Sequence, residues 1–309
     1  MSTATPAGQP SIAVIGLGVM GLPMAQNLVT AGYPVTGFNR SPGRLDELAA
    51  SGGARGGSIA DAVGSADVII TMLPDAPDVT AVLQGSDGVF SHARPGAAVI
   101  EMSTIAPRVA REFAAAATDS GMAFLDAPVS GGESGAIEGT LSIMVGGPAH
   151  TLAGVRPVLD VLGATIAHVG PAGAGQTVKA ANQLIVAGTI QVVAEALTFL
   201  DAHEIDLETA CSVLAGGLAG NRILDRKAGA MIAHDFRPGF RAELHHKDLG
   251  ILTAAAREAG VVIPVGALTA ELMASLCAQG RGELDHSALL LAVEQLSGRS
   301  ERPRRSTSV

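Results

Sequence analysis

The sequence predicts an α/β doubly wound sheet followed by an all-α domain, and three observations carry that prediction. Short β-branched runs alternate with helical stretches through the first half of the chain, the pattern of βαβ units with a parallel sheet. The first of these runs passes straight into Gly16-Leu17-Gly18-Val19-Met20-Gly21, a glycine turn that opens a helix. After Gly175 the strand pattern stops and only helical periodicity remains.

Taken in order, Ile12–Ile15, Val35–Phe38, Val68–Met72, Ala98–Glu101 and Ala123–Leu125 read as strands, and Leu141–Val145 and Thr165–Val169 extend the series. Between them lie expected helices at Met20–Ala31, Arg44–Ala50, Ala76–Gln84 and Pro107–Ser120, with Gly32 and Gly121 placed to end helices in the left-handed conformation. One long helix is expected from Gln176 to about His203. Beyond it Asp206 and Asp285 look like N-caps, and Gly260 and Gly280 like C-terminal stops. The expected organisation is a tail over 1–10, a nucleotide domain over 11–172, a helical domain over 173–298 and a second tail over 299–309.

Composition narrows the function classes. The chain has 309 residues, 48% of them apolar and 16% charged, which suits a globular protein of two domains. A formal net charge of −9 argues against a nucleic-acid duplex as partner, because phosphate binding needs a basic surface. Arg299, Arg302, Arg304 and Arg305 form a basic C-terminal stretch that reads as a solvated tail. Cys211 and Cys277 are expected to be two buried thiols with no disulfide between them. No basic-then-apolar leader opens the chain, and the apolar stretch Gln183–Leu200 carries Gln191 and Glu195, so a buried interdomain helix is expected there rather than a membrane span. A soluble cytoplasmic protein is the resulting expectation.

The glycine turn has a physical reading residue by residue. Gly16 permits the tight turn, Gly18 lets backbone approach a pyrophosphate, and Gly21 lets helix pack on strand, while the helix N-terminus offers free N–H groups to the phosphates. Leu17, Val19 and Met20 complete this cofactor-binding loop. The second strand runs into Asn39-Arg40-Ser41, with no carboxylate to bond a ribose 2′-hydroxyl. Asn39 can donate to a 2′-phosphate and Arg40 can pair with it, so NADP is favoured and NAD stays possible. Arg40 as a mere solvated turn residue is the plain alternative.

Two further clusters carry chemistry. Asp126-Ala127-Pro128-Val129-Ser130-Gly131-Gly132 follows a strand, and Ser130, Gly131 and Gly132 can aim N–H groups and a hydroxyl at a substrate carboxylate, or can form a simple turn. Lys179 and Asn182 lie three apart on the long helix and share a face, with Gln183 beside them. A lysine at the apolar start of a buried helix either has a task in proton transfer or snorkels to solvent.

Together these motifs resemble the β-hydroxyacid dehydrogenase family over nearly the whole chain. Gly16–Gly21 with Pro23-Met24-Ala25-Gln26-Asn27-Leu28 is similar to its cofactor signature, Asp126–Gly132 to its substrate signature, and Gly173-Ala174-Gly175 through Lys179 to Asn182 to its catalytic signature. Lys247-Asp248-Leu249-Gly250 resembles a fourth, whose lysine reaches the cofactor. The resemblance implies a Rossmann domain and hydride transfer, with Lys179 as general acid and base and Asn182 holding the substrate oxygen. It further implies a carboxylate site at Ser130, Gly131 and Gly132, and a cofactor cleft lined by Leu73, Pro74 and Thr104. The helical domain looks most like that of the tartronate semialdehyde reductases, through Leu214–Gly220, Pro238–Arg241, Leu244–Leu249 and Asp285–Leu289. Gln183, where many members have a second Asn, and Asn221-Arg222 depart from the commonest form. The implied substrate is a small carboxylate-bearing aldehyde or hydroxy acid, and family analogy implies a homodimer or homotetramer.

Rival chemistries lack their residues. A short-chain dehydrogenase needs Lys four residues after Tyr, but the sole tyrosine, Tyr33, has Gly37 there. A zinc alcohol dehydrogenase needs more than two cysteines. No metal is expected, although His245 and Asp248, three apart on a helix, have a spacing that could share one. A lactate-type enzyme would use a histidine acid, and none lies in a matching motif. Imine reductases share the architecture but typically lack the lysine at the position of Lys179. A non-catalytic dinucleotide-binding scaffold is the alternative outside enzymes, against which the presence of Lys179 and Asn182 argues.

Overall fold

A computed structural model describes residues 8–299, and two compact units divide the chain between Ala180 and Ala181. Of the two expected tails, residues 1–7 and 300–309, with Arg302, Arg304 and Arg305, lie outside the described residues. Arg299 does not behave as a tail residue, since its guanidinium binds the Asp201 carboxylate at 2.6 Å and its backbone N–H donates to Glu294.

The first unit is built on strands β1 (Ile12–Ile15), β2 (Val35–Phe38), β3 (Ala54–Arg55), β4 (Val68–Thr71), β5 (Ala98–Glu101) and β6 (Ala123–Asp126), all parallel and in the order 3-2-1-4-5-6. That order is the doubly wound one. Beyond β6 the sheet changes character. β7 (Val129–Ser130) and β6 both pair antiparallel with β8 (Leu141–Gly146), while β9 (Gly163–Gly170) runs parallel to β8. The expected all-parallel series thus ends at β6.

Period-two alternation sorts the side chains onto two faces. Ile12, Val14, Val68, Ile70 and Ile100 meet one layer, made by α1 (Gly21–Thr30), α2 (Pro42–Ala50) and α8 (Ala149–Leu162). Ala13, Ile15, Ile69 and Val99 meet the other, made by α3 (Ile59–Val63), α4 (Ala76–Gln84), α5 (Val89–His92) and α6 (Pro107–Asp119). The short α7 (Gly132–Glu138) follows β7. Both faces of the central strands are buried, which explains their near-continuous apolar runs.

Helix α8 was not anticipated. Pro157 sits inside it and reads as a breaker, yet Leu152, Val155, Leu159 and Leu162 recur at helical spacing and bury against the sheet. Helix α9 (Ala174–Ala202) crosses the boundary between the units. It is long and apolar enough to cross a membrane by length and composition, but half of its most apolar window is buried in the protein, and Gln191 donates to Glu195 within it at 2.8 Å.

The second unit contains the rest of α9 with α10 (Leu207–Ala215), α11 (Arg222–Ile232), α12 (Ala242–Glu258), α13 (Pro264–Leu276) and α14 (Leu289–Leu296). Asp206 caps α10 by accepting from Thr209 N–H, and Asp285 accepts from Ser287 N–H at the 3-10 turn His286–Ala288. Gly260 and Gly280 take left-handed conformations at φ 66° and 78°, as stops should. Cys211 and Cys277 are free but half-buried rather than buried. Burial still pushes both thiols up from their ordinary value.

Candidate active site

The site begins at the carboxyl end of β1, between β2 and β4, where the strand order reverses. Gly16 sits at φ 99°, and a Cβ there would lie 2.3 Å from the Met72 carbonyl oxygen. Only glycine lets this turn pass the chain leaving β4. A Cβ on Gly21 would fall 1.9 Å from Gly16 O, so the third glycine permits the helix to start against the strand. Gly18 differs from both, with nothing within 4 Å of its Cβ position. Its bareness serves no internal packing and keeps the backbone open to an approaching group. Helix α1 opens with no side-chain cap and no acidic residue in its first turn. Unpaired N–H groups and a positive helix end therefore suit the pyrophosphate of a dinucleotide. Leu17 is buried beneath this loop, Met20 half-buried and Val19 exposed.

At the end of β2, Asn39 braces the glycine turn. Its Oδ1 accepts from Leu17 N–H and its Nδ2 donates to Ser41 O, both at 3.1 Å, which leaves one Nδ2 hydrogen for a ligand. The Arg40 side chain is 85% exposed and lies 3.4 Å from the Asp78 carboxylate. Ser41 stands exposed at the N-cap of α2.

A buried carboxyl organises the next two loops. Glu101, at the end of β5, bonds the Thr71 hydroxyl and accepts from Ser103 N–H at 2.7 Å, and Ser103 Oγ accepts from Leu73 N–H at 2.8 Å. This chain sets the backbone at Leu73 (half-buried), Pro74 (exposed) and Thr104 (half-buried). Sequence reasoning passed over Glu101. Its signal was a charged residue ending the apolar run Ala98-Val99-Ile100, since a buried carboxylate needs partners.

Asp126 does a similar service for α9. Its carboxylate accepts from Gly173 N–H at 2.7 Å and Gln176 N–H at 2.9 Å. Burial pushes this carboxyl up, and those N–H groups pull it back. A Cβ on Gly175 would lie 2.6 Å from the Asp126 carbonyl oxygen, so the glycine there allows helix and strand end to meet. In the sequence Gln176 marks only the start of a helix. It is buried, its Oε1 accepts from Ile105 N–H at 3.1 Å, and its Nε2 donates to Ser103 O at 2.8 Å. Lys179 follows one turn later, 7% exposed. Half-buried Ser130 ends β7, and Gly131 and Gly132 take φ 145° and 67°, which only glycine adopts without strain, to enter α7.

In the second unit the amides are tied together. Asn182 Nδ2 donates to Gln183 Oε1 at 2.8 Å, and Gln183 Nε2 donates to Asp248 Oδ2 at 2.5 Å. Lys247 Nζ lies 3.2 Å from Asp248 Oδ1, beside the oxygen rather than in hydrogen-bond alignment, so that contact is ionic. His245, the other residue whose spacing suggested a metal, has its ring nitrogens on His286 and on Gln183 O. Among the described residues no group of three or more His, Cys, Asp or Glu is placed to hold a metal.

Residues 11–170 match the family described as the NAD binding domain of 6-phosphogluconate dehydrogenase. Residues 173–293 match the one described as the NAD-binding domain of NADP-dependent 3-hydroxyisobutyrate dehydrogenase. The 2-hydroxy-3-oxopropionate reductase of Escherichia coli K12 is 41% identical over 92% of this chain and 97% of its own length. The chain belongs to the β-hydroxyacid dehydrogenase family. As a β-hydroxyacid dehydrogenase it is an oxidoreductase that binds NAD(P). It is also similar to the NAD-dependent L-serine dehydrogenase of Pseudomonas aeruginosa, at 40% identity over 90% of this chain and 96% of that one. The solved 3-hydroxyisobutyrate dehydrogenase of Mycobacterium tuberculosis with L-serine superposes with a TM-score of 0.82, at 38% identity over 91% of this chain and 98% of that one. Of the two departures noted from the commonest form of a β-hydroxyacid dehydrogenase, Gln183 is held by Asn182 and Asp248, whereas Arg222 is exposed at the start of α11 beside its N-cap Asn221.

Proposed function

We propose that this enzyme uses NADPH to reduce a small aldehyde acid, tartronate semialdehyde in the first place, to the hydroxy acid, here glycerate. The observation that carries the reading is the buried Lys179 one turn before Asn182 on α9, behind a backbone held by Asp126 and Gln176. The bound cofactor supplies the hydride. Lys179 gives a proton to the oxygen of the former carbonyl, or takes the alcohol's proton in the reverse direction. Asn182 holds that oxygen in line, its amide oriented by Gln183. Ser130, Gly131 and Gly132 bind the carboxylate, and Lys247 reaches the cofactor. Groups aimed before charge develops lower the barrier without reorganising. Reduction is the favoured direction because an aldehyde and NADPH run downhill to alcohol near neutral pH. The test is NADPH oxidation against tartronate semialdehyde, glyoxylate, succinic semialdehyde and methylmalonate semialdehyde, with glycolaldehyde as the analogue lacking a carboxylate. A site built on charged hydrogen bonds should reject glycolaldehyde by about 10⁴-fold. Equal turnover of glycolaldehyde and tartronate semialdehyde refutes the carboxylate site, and a win for methylmalonate semialdehyde moves the substrate to another branch of the family. Absence of turnover with every substrate in both directions would favour a dinucleotide-binding scaffold.

A second reading is oxidation of L-serine or 3-hydroxyisobutyrate, both β-hydroxy acids, and the 40% identity to an L-serine dehydrogenase favours including them in the reverse assay. The enzyme is further proposed to be a soluble cytoplasmic homodimer or homotetramer. Ile185 and Val192, exposed and seven apart along α9, line a groove of about 530 Å³ with Gly188, Val262, Pro264 and Val265, and Phe199 is exposed seven residues further along the helix. Ridge and groove on one face suit a two-fold contact with a second copy, and monomers rarely leave so continuous an apolar patch in water.

A further inference from the structure

Behind Asn182 and Gln183 lies a buried polar chain that the proposed reaction does not use. Helix α12 turns two buried side chains, His245 and Asp248, toward Gln183. Asp248 takes the Gln183 side-chain amide, while His245 Nε2 lies 3.3 Å from the Gln183 backbone oxygen, so α12 grips one residue of α9 at both ends. His245 Nδ1 lies 2.9 Å from His286 Nδ1, and Phe240 stands edge-on to both rings. His286 Nε2 faces Asp285 Oδ1 at 3.9 Å. Asp285 in turn accepts from Lys227 Nζ at 2.8 Å, from Gly239 and Phe240 N–H at 2.9 and 3.1 Å, and from Ser287 Oγ at 2.7 Å.

The direction of every bond in this chain follows from one atom. A carbonyl oxygen only accepts, so His245 Nε2 carries hydrogen. Neutral His245 then has its lone pair at Nδ1, and His286 Nδ1 must be the donor across the 2.9 Å contact. The two imidazoles are therefore opposite tautomers. The pair accepts one further proton from solvent, at His286 Nε2, where a cation faces Asp285 and both ring contacts survive. A proton at His245 Nδ1 would set two N–H groups against each other. The charged and titratable groups around His286 are Asp285 on its own turn, Lys227 from α11, and His245 with Asp248 one turn on from α12. Glu294 of α14 is bound to His234 instead.

We propose that His245 and His286 are positioning residues for the reaction: His286, facing the Asp285 carboxylate, donates to His245, and His245 donates to the Gln183 backbone oxygen, which sets that backbone and through it the Asn182 amide. This rests on the reading of α9 as the catalytic helix. Protonated His286 is the holding state, because an imidazolium then faces the Asp285 carboxylate at 3.9 Å, an ionic contact rather than a hydrogen bond. The hold weakens as pH rises and a lone pair is turned toward that carboxylate.

The experiment has two readouts on the full-length protein. Long-range ¹H–¹⁵N spectra of histidine-labelled enzyme, with signals assigned by loss in His245→Asn and His286→Asn, should show Nε2–H at His245 and Nδ1–H at His286. The same tautomer at both overturns the relay whatever the substrate is. Kinetically, His286→Phe removes the donor and should lower kcat roughly 10- to 100-fold with NADPH affinity unchanged, as expected for a misplaced reacting group. His286→Asn offers a non-titrating donor. It should keep kcat within a few-fold and lose one ionisation from the alkaline limb of the wild-type kcat profile. Wild-type kcat and an unchanged pH profile in a folded His286→Phe enzyme refute the positioning role. If Lys179→Ala alone retains activity, the catalytic reading of α9 fails instead, and the tautomer result still stands or falls by itself.

Discussion

Cofactor choice gives the sharpest quantitative test, through Arg40. The side chain is 85% exposed and its contact with Asp78 spans 3.4 Å, so leaving that partner costs at most about 1 kcal/mol. A charge-assisted hydrogen bond to a 2′-phosphate contributes roughly 1.5–3 kcal/mol. The difference is about 0.5–2 kcal/mol, or roughly 2- to 30-fold in kcat/KM for NADPH. Arg40→Ala should show that loss for NADPH in initial-rate assays, with a smaller loss for NADH, whose adenine Arg40 can still stack on. Asp78→Asn removes the competitor and should raise NADPH kcat/KM slightly. Asn39→Asp keeps the acceptor for Leu17 N–H, repels a 2′-phosphate and offers a carboxylate to a free ribose hydroxyl, so preference should swing to NADH. Equal kcat/KM for the two cofactors in the wild type, or an Arg40→Ala loss shared equally between them, would refute the reasoning.

The remaining predictions follow from burial and charge. Lys179→Ala should lower kcat by roughly 10²–10⁴-fold with cofactor affinity nearly intact by fluorescence titration, and a wild-type kcat removes Lys179 from the mechanism. Asp126→Ala strands the N–H groups of Gly173 and Gln176, at about 1–3 kcal/mol each, so denaturant midpoints should fall clearly, and less for Asp126→Asn. Asp285 is buried, which raises its carboxyl, but His286, Lys227 and Ser287 outweigh burial and hold it well below the ordinary 3.8. Its stabilisation is therefore present above that value and is lost as pH falls below it. The acid slope of stability should be flatter in Asp285→Asn, and identical slopes would refute this. Val192→Glu or Ile185→Glu should shift the light-scattering mass toward the monomer, and an unchanged mass would discount the α9 face as the contact.

Much of the cofactor domain was legible because its signals are local. Period-two apolar runs, glycine spacing and caps are properties of adjacent residues, so β1, β2, β4, β5 and the helices after them fell where expected within a residue or two. Gly16 and Gly21 proved to be steric requirements, and the absence of an acidic residue after β2 needed no coordinates. Helix α8 was illegible for a local reason, because Pro157 contradicts the apolar stripe and only the sheet it covers settles the conflict. The two-residue strands β3 and β7 are too short to carry a period and exist only because a neighbour pairs with them.

By itself, then, the sequence determined the main parallel strands with the longer helices that follow them, an α/β part ahead of a helical one, and the residues with chemistry to offer, since these follow from spacing along one chain. Tertiary structure alone decided how those residues are held. Glu101 orders the loops of β4 and β5, and Asp126 and Gln176 anchor the start of α9. His245 meets a histidine 41 positions away. Each of these contacts joins groups distant in sequence whose desolvation must be met by a partner, and neither composition nor periodicity names the partner.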